Sequence, residues 1–151
     1  MNDANYDIRT LNGLIATTFD SVDGYRTAAT DADNHRFVAM FLARAGEREQ
    51  VVQQLRAEVT RLGGTPEEDG TMLASVHRGF LNLKAAITGN DDAAIVSTVE
   101  DGEDHIKAKY EAAMADRDVS APVQSAIQAA YQSVRAGHDE MRDLKHSLVN
   151  N

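Results

Sequence analysis

Side chains that could bind a metal ion lie close together in one stretch of the sequence, STVEDGEDHIKAKYEAA, which runs from Ser97 to Ala113. Carboxylate and imidazole groups are common ligands of iron, manganese and zinc in proteins. A metal needs its ligands on one face of the element that carries them, so their spacing decides whether they act together. The candidates in this stretch are Glu100, Glu103, Asp104 and His105.

The composition narrows the class of protein. The chain has 151 residues, 42% of them hydrophobic, which is enough for one domain with its own core over residues 1–151. It contains no cysteine, which excludes disulfides, thiolate nucleophiles and cysteine-ligated metal sites. No apolar run reaches the roughly 20 residues of a membrane span, and the first residues, MNDANYDIRTLNGL, do not read as a secretory signal. We therefore expect a cytoplasmic protein.

The charge of the chain argues against two classes of partner. The net charge is −9, from 24 acidic and 15 basic residues. Nucleic acid and anionic membranes are bound through basic surfaces, so neither is expected as a partner. The sequence also has no phosphate-binding loop and no serine-hydrolase elbow motif. We interpret the scattered acidic residues as a solvated surface.

Apolar residues repeat at intervals of three and four along four long segments, which is typical of helices that face a core. Capping residues support the same boundaries, with Asp33 or Asn34 before the second segment and Ser120 before the fourth. The pair Gly63-Gly64 follows the second segment and ends it. We predict helices at 6–31, 34–63, 91–116 and 121–148.

The connector between the second and third helices, GTPEEDGTMLASVHRGFLNLKAAITGN, decides the topology. It contains an amphipathic stretch that predicts a shorter helix at about 72–88. Short turns at 31–34 and 117–120 make their flanking helices antiparallel, whereas this connector is long enough to retrace a helix, so that helices two and three run parallel. The predicted fold class is therefore all-α, a ferritin-like four-helix bundle with a long crossover that carries an extra short helix.

Three stretches also resemble a known family: LNGLIATTFDSVDGYRTAA, RLGGTPEEDGTMLASVHRGFLNLKAAITGNDDAAI and VEDGEDHIKAKYEAAM. Over about residues 8–146 the chain is similar to an uncharacterised bacterial family described as a ferritin-like four-helix bundle, domain of unknown function 2383. The most specific part is HRGFLNLKAAITGNDDAAI. The resemblance implies the fold and a distant kinship to di-iron bundles, but no known activity.

A ferritin-like di-iron centre takes one glutamate from each of two helices and a Glu-x-x-His pair from each of the other two. At about 100° per residue, the helical projection finds two good inward-facing ligands, Glu103 and His138. Glu47 and Glu49 lie on the flanks of the second helix. These four residues are weak metal candidates, and we assign no metal site to them.

The projection leaves the opening stretch without a ligand cluster. It places Gly102 at the centre of the core face of the third helix and Glu103 at its edge. Glu100 and His105 point away from the core, where their charges belong to a solvated face. We therefore interpret the stretch as a solvent-exposed helix face with one inward-facing carboxylate, that of Glu103.

The central position of the second helix is Arg48, a cation that competes with a metal for carboxylates. A buried guanidinium requires a paired, hydrogen-bonded partner. We predict that Arg48, Glu103 and His138 meet across the bundle, with Thr18 close by, as a polar network that fixes the helix register. The alternative is that Arg48 extends to the rim of the bundle with its stem packed.

Because the set of di-iron ligands is incomplete, we favour a non-catalytic bundle without a cofactor. Such a bundle acts through protein contacts or as a stress-associated structural protein. The alternative is an iron- or manganese-binding ferritin-like protein with an atypical site. The apolar face of 72–88 must be covered either by the flank of its own bundle, which we favour, or by a second copy of the chain. A homodimer is expected, because isologous dimers are the commonest oligomers.

Overall fold

A computed structural model of the chain describes residues 4–68 and 92–149. These residues form four long α-helices and no strand. The helices are α1 (Ala4–Asp31), α2 (His35–Arg61), α3 (Asp92–Ala115) and α4 (Ala121–Val149). The all-α prediction and the four long helices are confirmed, with ends within two residues of those predicted. The shorter helix predicted at 72–88 lies outside the described residues.

The helices end at residues that satisfy their free backbone groups. The side-chain oxygen of Asn34 accepts a hydrogen bond from the backbone N–H of Arg36 at 2.9 Å, which caps α2. After α2, Gly63 adopts a φ of 85°, which glycine tolerates without steric strain. The backbone N–H of Ser120 donates to the buried carboxylate of Asp7 at 3.0 Å, so the start of α4 is held by α1.

Contacts at both ends of α1 establish how the two helical hairpins are arranged. Tyr6, near the start of α1, donates a hydrogen bond to Asp116, which follows α3. At the other end, the backbone N–H groups of Asp33 and Asn34 both donate to the carboxylate of Asp92 at 3.1 Å. α1 is therefore antiparallel to α3 as well as to α2, and α2 and α3 run in the same direction.

Each helix packs mainly on two neighbours: α1 and α4 lie diagonally opposite, and each contacts both α2 and α3. The core divides along the bundle axis into two apolar clusters. The first includes Leu11, Ile15, Val52, Leu55, Ile106, Tyr110, Ile127 and Val134. The second includes Val22, Tyr25, Phe41, Ala45, Ile95, Val99 and Met141. Among the described helices, none combines the length and the apolar character needed to cross a membrane.

Candidate functional site

One residue from each helix interrupts the apolar core at the same level. Thr18 in α1, Arg48 in α2, Glu103 in α3 and Gly137 in α4 all lie between the two apolar clusters. Each has apolar core neighbours three or four residues away on both sides, which places it on the core face of its helix. We call these four residues the polar layer.

The centre of the polar layer is a buried salt bridge between α2 and α3. Nη1 and Nη2 of Arg48 donate to the two carboxylate oxygens of Glu103 at 2.8 and 2.6 Å. The side chains are 0% and 2% exposed. Burial disfavours the charged guanidinium, but the charge and hydrogen bonds of Glu103 outweigh this effect and raise the pKa of Arg48. The guanidinium therefore stays charged, and it meets Glu103 in the bidentate geometry that gives the strongest ion-pair hydrogen bonds.

The remaining donors of Arg48 reach the other two helices. Nη1 donates to the hydroxyl of Ser21 in α1 at 2.7 Å. Nε donates to the hydroxyl of Ser133 in α4 at 3.4 Å, and Nη2 donates to the carbonyl of the same residue at 3.3 Å. The guanidinium thus connects α2 with α1, α3 and α4. It is fully buried and does not extend to the rim of the bundle.

Gly137 provides the space that the salt bridge occupies. A Cβ atom built on this residue would lie 2.4 Å from Nη2 of Arg48 and 2.7 Å from Oε2 of Glu103, distances that real Cβ atoms do not make. The sequence contains one indication of this role, because Gly137 lies inside a predicted helix, where glycine is less favourable than alanine by about 1 kcal/mol. The helical projection did not connect this glycine with Arg48, and it also missed both serines.

Two buried tyrosines flank the salt bridge. The guanidinium carbon of Arg48 lies 5.7 Å from the ring centroid of Tyr25, within the range of a cation–π contact. The Tyr25 hydroxyl is buried without an acceptor in hydrogen-bonding geometry, and burial together with the nearby charge of Glu103 raises its pKa well above the ordinary value. The Tyr110 hydroxyl bonds to Thr18 at 2.8 Å, and burial raises the pKa of Tyr110 to about 12. Both tyrosines therefore remain protonated at neutral pH.

Two of the four predicted network residues contact each other, and the other two make different contacts. Arg48 and Glu103 form the salt bridge. Thr18 lies at the same level, but its hydroxyl bonds to Tyr110 and to a backbone carbonyl of α1 rather than to Arg48. His138 does not join them, because it is one residue past Gly137 and is therefore rotated by about 100° away from the central face.

The ring of His138 lies between α3 and α4. Its Nε2 is 2.6 Å from Oδ1 of Asp104, and its Nδ1 is 3.3 Å from Oδ1 of Asp139. Glu100, one turn before Asp104, belongs to the same group of side chains. Two residues of the opening stretch, Glu100 and Asp104, thus lie close to His138 of α4, a proximity that the helical projection does not contain. Glu100 does point away from the bundle centre, but it points toward α4.

The other weak metal candidates do not converge. Glu47 pairs with Arg44 at 3.1 Å and accepts a hydrogen bond from Ser133. Glu49 pairs with Arg26 on the surface. Gly102, which the projection placed at the centre of α3, is exposed, and the neighbouring Glu103 occupies that position instead. No single point therefore brings together the two α2 glutamates, Glu103 and His138.

The polar layer does not fit a di-iron centre. Such a centre needs carboxylates from all four helices and two imidazoles to hold two cations. The layer offers the single carboxylate of Glu103, and both of its oxygens accept hydrogen bonds from Arg48. The guanidinium stays charged and would repel a metal ion placed beside it.

Comparison with known families agrees with the resemblance over most of its length. Residues 7–116 match a family described as a domain of unknown function (DUF2383). The match includes most of α1 and all of α2 and α3, with Arg48 and Glu103, and it ends before α4, which carries Gly137 and His138. No curated protein sequence matches the chain. Because the match covers more than half of the chain, the protein belongs to the DUF2383 family of domains of unknown function.

Proposed function

We propose that this chain is a ferritin-like, cytoplasmic bundle in which the Arg48–Glu103 salt bridge stands in place of a di-iron centre. Its role is structural, stress-associated or based on protein contacts, and it is not an oxidase. The shared direction of α2 and α3 supports the ferritin-like part of the proposal, because a single long crossover produces that arrangement. The proposed domain includes the whole chain.

The observation that carries the proposal is the fully buried guanidinium of Arg48, which is bonded to all three other helices. Replacing a buried salt bridge by apolar residues is often neutral or stabilising, so this pair is not retained for stability alone. Removing one partner is strongly destabilising, because it leaves a buried charge uncompensated. A pair of this kind favours one register of the four helices over others. A fixed register in turn holds the outer faces of the helices in one arrangement, which a structural or binding surface requires.

The alternative, iron or manganese bound at mid-bundle, makes the opposite prediction about Glu103. A metal at this level would need the carboxylate that now binds Arg48. We therefore expect the metal content of the purified protein to be independent of Glu103. We also expect the protein to oxidise Fe²⁺ in air no faster than a protein without an iron site.

The test is metal analysis of protein from cells grown with added iron and manganese. Wild type is compared with Glu103→Gln, which keeps the volume of the side chain, and with Glu49→Gln, which removes a surface carboxylate as the control. Circular dichroism verifies that each variant is folded. Stoichiometric iron or manganese that is lost in Glu103→Gln and kept in Glu49→Gln would overturn the proposal, and equal content in all three proteins supports it.

The proposed bundle is a homodimer. The frequency of isologous dimers among oligomers supports this proposal. Among the described residues, Leu42 on α2 is a large hydrophobic side chain that is 52% exposed, and it is the position at which we test the contact. Light scattering after size-exclusion chromatography should give twice the 16.4 kDa mass of one chain. Leu42→Glu should lower that mass toward one chain. A wild-type mass of one chain would refute the dimer and leave the account of the polar layer unaffected.

A further inference from the structure

A second polar cluster lies on the outside of the bundle, in the groove between α3 and α4. Glu100 and Asp104 are one helical turn apart on α3, and His138 faces them from α4. One ligand atom from each of the three residues lies within 4.8 Å of the other two. The cluster has no side chain in common with the polar layer, whose Arg48 and Glu103 face the bundle centre.

We propose that Glu100, Asp104 and His138 bind a divalent transition-metal ion, and that Zn²⁺ is the ion that fits best. Two carboxylate oxygens and one imidazole nitrogen are three protein ligands, the number found in open zinc sites that keep a water as the fourth ligand. The imidazole disfavours Mg²⁺ and Ca²⁺, and the general order of affinities places Zn²⁺ above Mn²⁺ and Fe²⁺. This site is separate from the proposed structural role of the salt bridge.

The size of the cluster suits such an ion. Ligand atoms at about 2.1 Å from a tetrahedral zinc lie about 3.4 Å from one another. The three ligand atoms are now at most 4.8 Å apart, so closure requires only small side-chain rotations. The Asp104 side chain is 56% exposed, whereas those of Glu100 and His138 are only 12% and 13% exposed and are enclosed by their surroundings. The exposed side of Asp104 is also the path by which an ion enters.

The other ring nitrogen of His138 has the partner that a metal-bound histidine usually has. Nδ1 lies 3.3 Å from Oδ1 of Asp139. In metal sites the second ring nitrogen typically donates to a carboxylate, which orients the ring and leaves the lone pair of Nε2 for the metal. Nε2 lies 2.6 Å from Oδ1 of Asp104, so this nitrogen faces the other two ligand atoms of the cluster.

Lys145 competes with a metal ion for the carboxylate of Glu100. Its Nζ lies 3.3 Å from Oε2 of Glu100 and neutralises part of the negative charge that would attract a metal. Asp104 and Asp139 add two further carboxylates, and Arg142 lies 3.5 Å from Oδ1 of Asp139, so two cations partly neutralise the three carboxylates around the imidazole of the cluster. Removal of the lysine charge should therefore tighten metal binding, whereas removal of any ligand should weaken it. Nonspecific attraction of a cation would give the same pair of signs, so the discriminating comparison is between charge-matched substitutions inside and outside the cluster.

Isothermal titration calorimetry of the full chain with Zn²⁺, and visible absorption with Co²⁺ as a substitute, test this site. Wild type should bind one ion per chain. Asp104→Asn and His138→Gln should each weaken binding by at least tenfold, and Asp139→Asn by about 10- to 100-fold through the orientation of the ring. Lys145→Met should tighten binding several-fold. Circular dichroism verifies folding, which these partly exposed positions should not disturb.

The matched controls are Asp101→Asn and His105→Gln, which change exposed residues of the same ligand types in the same turns of α3. Both should bind Zn²⁺ within about twofold of wild type, since neither residue belongs to the cluster. Equal affinity in wild type, Asp104→Asn and His138→Gln would overturn the proposal. Binding that is lost in Glu103→Gln and kept in Asp104→Asn would place the metal at mid-bundle and refute the proposed structural role of the salt bridge as well.

Discussion

Gly137→Ala is the most direct perturbation of the polar layer. Elsewhere in a helix the same change is favourable, because alanine is preferred over glycine by about 1 kcal/mol. At this position the added Cβ would lie 2.4 Å from Nη2 of Arg48 and 2.7 Å from Oε2 of Glu103. These atoms are hydrogen-bonded to each other and to Ser133, so they cannot move apart without losing a bond.

The expected loss of stability follows from how the salt bridge responds. If the pair shifts intact, overpacking costs about 1–3 kcal/mol, and the gain of about 1 kcal/mol from alanine leaves a net loss of about 0–2 kcal/mol. If the pair breaks, an uncompensated buried charge costs about 3–5 kcal/mol, and the net loss is about 2–4 kcal/mol. Neither range includes the gain of about 1 kcal/mol that is expected for an open glycine.

The assay is urea unfolding followed by circular dichroism, with the free energy of unfolding extrapolated to water. Gly46→Ala and Gly102→Ala are the matched controls, because a Cβ at either position meets no atom within 4 Å. Both controls should gain up to about 1 kcal/mol. A Gly137→Ala protein that is stabilised as much as these controls would refute the position of the guanidinium against α4.

Three further predictions concern the core. Arg48→Met should lower the free energy of unfolding by about 3–5 kcal/mol, and addition of Glu103→Leu should recover much of the loss, because the double variant leaves no buried charge; both are measured by urea unfolding. Burial raises the pKa of Tyr110 from an ordinary 10.0 to about 12. The stability that its protonated form contributes is therefore present below pH 10.0, and it should fall by about 2–3 kcal/mol as the pH rises to 12. Urea unfolding at a series of increasing pH values measures this loss. Asp7→Ala should destabilise the fold by about 1–3 kcal/mol, because the buried N–H of Ser120 loses its acceptor.

Each of these predictions has an outcome that contradicts it. A double variant less stable than Arg48→Met would mean that the two charges are not paired in solution. Tyr110→Phe should reduce the loss of stability above pH 10.0, so an unchanged pH profile would assign that loss to other groups. An Asp7→Ala protein as stable as wild type would show that Ser120 finds another acceptor, such as water, at the start of α4.

The helices and their ends could be predicted from the sequence because they are set by local rules. Apolar spacing of three and four residues defines the core face of each helix, and capping by Asn34 and Gly63 depends on the chain within a few residues. The same reasoning placed Arg48 at the centre of a core face. It also identified Glu103 as the inward carboxylate, because a charged residue is easily recognised within a stripe of otherwise apolar residues.

The contacts between helices could not be predicted in this way. A helical projection gives the angle of a residue around its own axis, but it does not contain the axial offset or rotation of one helix relative to another. For that reason His138 was placed with Arg48, although it faces Asp104, and Gly102 was placed at the centre instead of Glu103. The role of Gly137 depends on atoms from two other helices, which no local pattern records.

The sequence by itself determined four amphipathic helices and the position of a cation, Arg48, on the core face of one of them. Only the tertiary structure decided that this cation bonds to three other helices and that a second cluster of potential ligands forms between α3 and α4. The physical reason is that helix formation is governed by neighbours along the chain. A hydrogen bond or a metal site instead requires atoms from distant segments to meet within a few tenths of an ångström.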